Sequence, residues 1–169
     1  MLGVRLSLDC RSCTIAEDLL RGYSVTMKPA SDFSLPDQAG AVHSLADFAG
    51  RWLVVYFYPQ DDTPGCTTEA CSFRDTYGAL QERGLSVVGI SKDSVESHAK
   101  FAEKYHLNFP ILADESTKVL KAYGAWGLGH GRMTFLINPA GLIAKEYPKV
   151  TPEGHAEAIL RDFEALQSV

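Results

Sequence analysis

The sequence predicts an α/β domain, a three-layer α/β/α sandwich around a central mixed sheet. Three observations carry that prediction. Residues 52–58 and 85–91 are continuous apolar, β-rich runs, the pattern of strands covered on both faces. Between them Phe73, Tyr77 and Leu80 recur at helical i, i+4, i+7 spacing, so two buried strands are joined by a helix. Two more β-rich runs, 133–137 and 142–146, flank Asn138-Pro139-Ala140-Gly141 and read as a β-hairpin. Helices between buried strands imply parallel pairs, and the hairpin adds an antiparallel edge.

The elements follow in order. Residues 1–26 read as an N-terminal extension with one short helix over 15–21: Thr14-x-x-Glu17 is a capping-box pattern and Gly22 suits the far end. The main domain is expected over 27–169. Residues 35–40 form a turn cluster, 41–43 a short extended piece, and Ser44 caps a brief helix that Gly50 ends. Pro59 stops the strand over 52–58. The helix over 67–83 is closed by Gly84, and Ser94 opens the next, to about 105. A strand at 111–113, a helix at 116–123 and a glycine-rich loop at 124–131 lead to the hairpin. Thr151 with Pro152 at the first helical position starts a final amphipathic helix to 166.

Composition narrows the function classes. The 169 residues are 46% hydrophobic and 22% charged, which suits one soluble domain. A formal net charge of −5 is a poor match for nucleic acid or an anionic membrane surface, which call for a basic patch. No run approaches the ~18 apolar residues of a membrane span. The N-terminus lacks the apolar core of a secretory signal, and Asp9, Glu17 and Asp18 argue against a transit peptide, so a cytoplasmic location is expected. Four cysteines, Cys10, Cys13, Cys66 and Cys71, are too few to staple a secreted scaffold of this length and point instead to redox catalysis or metal.

Cys66 falls where the loop after a buried strand turns into a helix. Unpaired N–H groups and the dipole at a helix N-terminus favour an anion, so the thiolate is stabilised there. Thr63 lies three residues earlier, where its hydroxyl could donate to the sulfur, and Pro59 and Pro64 stiffen the loop. The bland reading of the same cysteine is a small buried hydrophobe after a turn. The carboxyl end of a strand is where open α/β sheets place their sites.

Pro59-x-x-x-Thr63-x-x-Cys66 matches the P-x-x-x-T-x-x-C signature of the peroxiredoxins. The longer string from Asp61 through Thr63-Pro64-Gly65-Cys66-Thr67-Thr68-Glu69-Ala70 to Cys71 resembles the peroxiredoxin Q, or bacterioferritin comigratory protein, subfamily. Phe57-Tyr58-Pro59, Phe73-Arg74-Asp75 and Arg132-x-Thr134-Phe135-Leu136-Ile137 extend the resemblance, which runs from about residue 29 to the C-terminus. It implies a thioredoxin-like fold and a thiol-dependent peroxidase acting on hydrogen peroxide and organic hydroperoxides. By the same resemblance Cys66 is the peroxidatic cysteine, Thr63 binds thiolate and substrate, Pro59 shields the sulfenic acid, and Arg132 stabilises thiolate and peroxide oxygens. Glu69 resembles the glutamate that orients this arginine, and Cys71 matches the resolving cysteine of an intramolecular disulfide. The reductant implied is thioredoxin or a similar dithiol, with no metal or organic cofactor and with a monomer expected. If residues 66 to 71 are helical, their Cα atoms stand roughly 8.7 Å apart. A disulfide needs about 4.4–6.8 Å, so the helix must unwind locally, and the cap at Thr67/Thr68 becomes a switch.

Two features depart from the subfamily. The usual Ala-Pro-Asp-Phe reads Ala30-Ser31-Asp32-Phe33, and the segment before Arg132, which commonly carries a longer insertion, is only a short glycine-rich loop. Trp126 or His130 could line the opening that this loop borders. Cys10-x-x-Cys13 lies outside the family core as an incidental or auxiliary pair. The rival readings are a thioredoxin-like protein disulfide reductase, which would place Cys-x-x-Cys at the strand–helix junction, a one-cysteine peroxidase using an external thiol, and a non-catalytic interaction module.

Overall fold

The structure, a computed structural model, describes residues 27–127 and 131–168. The short helix expected over 15–21, Cys10, Cys13 and His130 lie outside the described residues. Among the described residues are eight strands: β1 (Lys28–Pro29), β2 (Ser34–Pro36), β3 (Val42–Ser44), β4 (Trp52–Phe57), β5 (Leu85–Ser91), β6 (Ile111–Ala113), β7 (Met133–Ile137) and β8 (Leu142–Tyr147). The helices are α1 (Pro64–Glu82), α2 (Val95–Tyr105), α3 (Lys118–Ala122) and α4 (His155–Gln167), with a short 3₁₀ turn at Leu45–Phe48. Six strands make one mixed sheet in the order β1-β8-β7-β4-β5-β6, and β2 pairs with β3 in a separate small hairpin. The β4, β5 and β6 strands run parallel, while β7 is antiparallel to both β4 and β8.

This order explains where the helices lie. Two successive crossovers of the usual right hand, both stepping from β4 toward β6, carry α1 and α2 over one face. The return from β6 to β7 crosses the other face and leaves α3 there. Along β4 the side chains alternate: Val54 and Tyr56, with Tyr58 beyond the strand end, meet Phe73 and Leu80 of α1, Phe101 of α2 and Ile159 and Phe163 of α4. Leu53, Val55 and Phe57 face Phe33, Val119, Leu120 and Tyr123. Burial on both faces is why the run over 52–58 shows no polar alternation. The predicted sandwich is therefore present, with its mixed sheet.

Beneath the start of α1 the packing is aromatic. Tyr56 stacks on Phe73 with ring centroids 4.6 Å apart, and on Tyr58 at 5.4 Å. On its other side Tyr56 presses onto β5 at Gly89, where a Cβ would meet the ring at 2.7 Å. A glycine in the middle of a buried strand marks this close approach.

Several predicted boundaries move. The helix expected from residue 67 begins at Pro64, because proline at the first helical position loses no hydrogen bond and its fixed φ is already helical. The final helix does not begin at Thr151–Pro152. Gly154, at φ +69°, ends an intervening turn and α4 starts at His155. The helix expected over 116–123 shortens to α3, whose first N–H groups are taken by the buried Asp114 carboxylate: Lys118 at 3.2 Å and Leu120 at 2.9 Å. The turn cluster over 35–40 contributes its first two residues to β2. The hairpin is not the sheet edge, since β1 pairs with β8 through Lys28–Ile143 and Pro29–Leu142. A two-residue strand ending in proline is a blunt edge that offers little to a further strand.

Candidate active site

The site stands at the carboxyl end of β4, where the chain leaves the sheet through residues 58–63 and enters α1. Thr63 is the residue before the helix, in extended conformation, and its carbonyl accepts from Thr67 N at 2.8 Å. Cys66 is the third residue of α1, in the turn whose N–H groups have no helical partner. It is 1% exposed, and both Cys66 and Cys71 are free thiols. Cys71 is half-buried in the same helix. The helical condition for the separation of roughly 8.7 Å between their Cα atoms is therefore met.

Arg132 enters from the other side. In the β4–β7 ladder Phe57 pairs with Met133, which sets the preceding Arg132 beside the chain as it leaves β4. Its Nη1 donates to Glu69 Oε2 at 2.9 Å, and its Nη2 lies over Gly65, where a Cβ would be 2.6 Å away. The guanidinium is thus wedged against the backbone immediately before Cys66. A side chain at residue 65 would push the Arg132 guanidinium from this position, so Gly65 belongs to the site. The sequence signal was its place beside the cysteine, but nothing in the spacing says an arginine comes there.

Glu69 is fully buried, and its Oε1 has no partner among the described residues. Burial pushes its carboxyl up to about 7, against the opposing pull of the Arg132 guanidinium. Near this pair lies His155, T-shaped on Phe73 and Tyr147 and hydrogen-bonded to Thr134 Oγ1 at 2.8 Å. Burial lowers its pKa to about 4, so its ring is neutral.

The hydroxyl of Thr63 departs from expectation. It donates to the Gln60 carbonyl at 3.2 Å, closing the loop on itself, rather than turning to the sulfur. The cap expected at Thr67/Thr68 is also displaced: both lie inside α1, and Thr68 Oγ1 bonds the Pro64 carbonyl at 2.9 Å. Pro59 is half-buried and packs near Gly131, at the end of the glycine-rich loop. Trp126, on that loop, is exposed under Lys121. Of the predicted residues, Pro59, Thr63, Cys66, Glu69 and Arg132 converge on this end of the sheet, and Cys71 lies one and a half turns along α1. Sequence reasoning missed Gly65, and also Asp61 and His98, which meet beneath the loop.

Comparison with known proteins gives the family. The AhpC/TSA family matches residues 26–146. Peroxiredoxin Bcp of Bacillus subtilis is 42% identical over 140 residues, covering 77% of this chain and 89% of that protein. Chloroplastic peroxiredoxin Q of Sedum lineare is 44% identical over 140 residues, covering 80% and 75%. A solved structure of the Xanthomonas campestris bacterioferritin comigratory protein, described for its alkyl peroxide reduction activity, superposes with a TM-score of 0.74 at 35% identity, over 79% of this chain and 90% of that one. With the thioredoxin-like sandwich and a buried thiol at the head of α1, the chain belongs to the AhpC/TSA family as a peroxiredoxin of the Q/Bcp kind, a thiol-dependent peroxidase.

Proposed function

We propose that Cys66 is the peroxidatic cysteine and that Cys71 resolves it, with hydrogen peroxide and organic hydroperoxides as substrates. The observation that carries the reading is the buried Cys66 thiol in the first turn of α1, with the Arg132 guanidinium pinned by Glu69 against the adjoining Gly65. The thiolate attacks one peroxide oxygen: an S–O bond forms, the O–O bond breaks, sulfur is oxidised, and the leaving oxygen departs as water or alcohol after taking a proton. Arg132 and the N–H groups of the first turn face the oxygen on which charge develops. Pro59 and the folded first turn keep bulk water from the sulfenic acid.

Cys71 then attacks the sulfenic sulfur; an S–S bond forms, the S–O bond breaks, and water leaves. Bond closure requires about 4.4–6.8 Å between Cα atoms, so the first turns of α1 must open. Opening also brings the nearly sealed sulfur to the surface, where thioredoxin or a similar dithiol reduces the disulfide. A disulfide reductase is disfavoured because no Cys-x-x-Cys occupies the strand–helix junction. A monomer suits a pair of cysteines carried on one helix.

The test is peroxide consumption with thioredoxin recycling for the wild type, Cys66→Ser and Cys71→Ser, with mass mapping under non-reducing conditions. Loss of turnover in both variants and a Cys66–Cys71 bond in the wild type support the two-cysteine cycle. Loss in Cys66→Ser alone makes the enzyme a one-cysteine peroxidase. Undiminished turnover in Cys66→Ser refutes the assignment.

A further inference from the structure

Between Pro59 and Thr63 the loop turns one residue inward. Asp61 is 8% exposed, and its carboxylate takes three partners: the Tyr58 hydroxyl at 2.8 Å, the Ser97 hydroxyl at 2.7 Å and His98 Nδ1 at 2.8 Å. Its backbone N–H donates to Asp93 Oδ2 at 2.9 Å, an oxygen that also accepts from the Ser91 hydroxyl at 2.7 Å. The loop is thereby closed back on Tyr58, just past β4, and tied to the end of β5 and to the first turn of α2. His98 is fully buried, and its other nitrogen, Nε2, has no partner among the described residues. Nδ1 faces a carboxylate oxygen and is the donor of this bond. The single hydrogen bond given to this buried imidazole is therefore spent on the loop.

A second tie lies on the surface. Asp62, at φ +55°, bonds Lys104 at 2.7 Å and Tyr105 at 2.5 Å, both on α2. Exposed pairs of this kind contribute little by themselves. The buried cluster differs, because leaving any of its members unpaired in the interior is costly. All of these ties act upstream of Thr63; none reaches α1.

We propose that Asp61 and His98 are positioning residues for peroxide reduction, a buried clamp that fixes residues 58–63 on α2 and so holds Pro59 and Thr63 over Cys66. The proposal rests on the reading of Cys66 as the peroxidatic cysteine. Because the clamp holds only the upstream side, the first turn of α1 opens and recloses against a stationary loop. Loosening the clamp therefore slows attack on peroxide, which needs the assembled site, and leaves the recycling steps, which occur with the site open, at their original rate.

The experiment compares wild type, Asp61→Asn and Ser97→Ala, each shown to be folded by circular dichroism. Cys66 oxidation by hydrogen peroxide is followed by rapid alkylation and mass reading of the Cys66 peptide, and steady-state kinetics are run with thioredoxin. Asp61→Asn is expected to slow oxidation and to raise KM for peroxide about tenfold, with kcat unchanged at saturating peroxide. Ser97→Ala, which removes one of the three donors, is expected to give about a threefold change in the same direction. It decides the matter alone if Asp61→Asn does not fold. Oxidation within twofold of wild type in the folded variants, or a fall in kcat with KM unchanged, overturns the clamp. Turnover that survives Cys66→Ser overturns the site reading instead, and the clamp with it.

Discussion

At Glu69 burial outweighs a guanidinium 2.9 Å away, so the carboxyl titrates near 7 although it is paired. Desolvation of this size is the expected consequence of burying a carboxylate of α1 against the core with one oxygen lacking a partner among the described residues. Arg132 uses one arm on Glu69 and sets the other over Gly65, a planar two-pronged geometry that an ammonium cannot reproduce. Arg132→Lys is therefore expected to fold but to lose about 10²-fold in kcat/KM for peroxide, the scale of removing one oriented transition-state donor. Stopped-flow peroxide reduction checks this, and retention of full activity would mean that charge alone suffices. The resemblance made Pro59, Thr63 and Cys66 legible through the P-x-x-x-T-x-x-C string and Arg132 through the Arg-x-Thr-Phe segment. Asp61 was legible only as part of a string, because its partner His98 is 37 residues away and no local pattern links them.

The helix α1 carries both cysteines and is built in two halves. Its later part is anchored to the sheet by Phe73 and Leu80, both fully buried. The first turns bury only small side chains, Cys66 and Ala70, together with the Glu69 carboxylate, while Pro64, Gly65, Thr67 and Thr68 are more exposed, so opening gives up less apolar contact than the half that carries Phe73 and Leu80 would. Oxidation is therefore expected to abolish amide protection over 64–71 while leaving the segment around Phe73 protected. Hydrogen exchange on the oxidised and reduced protein measures this directly. Protection that is equal in both states would show that the disulfide closes without unwinding. The propensity signals placed α1 three residues late because a helical start at proline has no apolar periodicity to announce it. They placed α4 three residues early because Thr-Pro resembles a cap, whereas the chain there needs a turn, closed by Gly154, before it docks His155 under β7.

Across the whole molecule, two buried groups titrate in the same pH window with opposite effects on stability. Glu69 goes from 4.5 to about 7 on folding, so the native state holds its proton longer and this contribution is lost as pH rises from about 4.5 to 7. His155 goes from 6.5 to about 4, so its contribution is present above 6.5 and lost as pH falls toward 4. Each displacement corresponds to about 3 kcal/mol at most, and the two nearly cancel. Urea unfolding of wild type is expected to vary little between pH 4.5 and 6.5. Glu69→Gln should become more stable as pH rises through that window, and a His155→Asn variant less stable; parallel profiles for the two variants would refute the balance. Burial created both shifts, and neither could be read from the chain. The sequence by itself determined the α/β class, the sandwich and the motif that marks Cys66, because strand and helix periodicities and a strand–loop–helix cysteine are local patterns. Only the tertiary structure decided which face each helix covers, that β1 closes the sheet edge, that Arg132 sets its second arm over Gly65, and that Asp61 is tied to α2. Those outcomes depend on residues distant in the chain meeting in a medium of low dielectric, where pairing and desolvation, not propensity, set the energies.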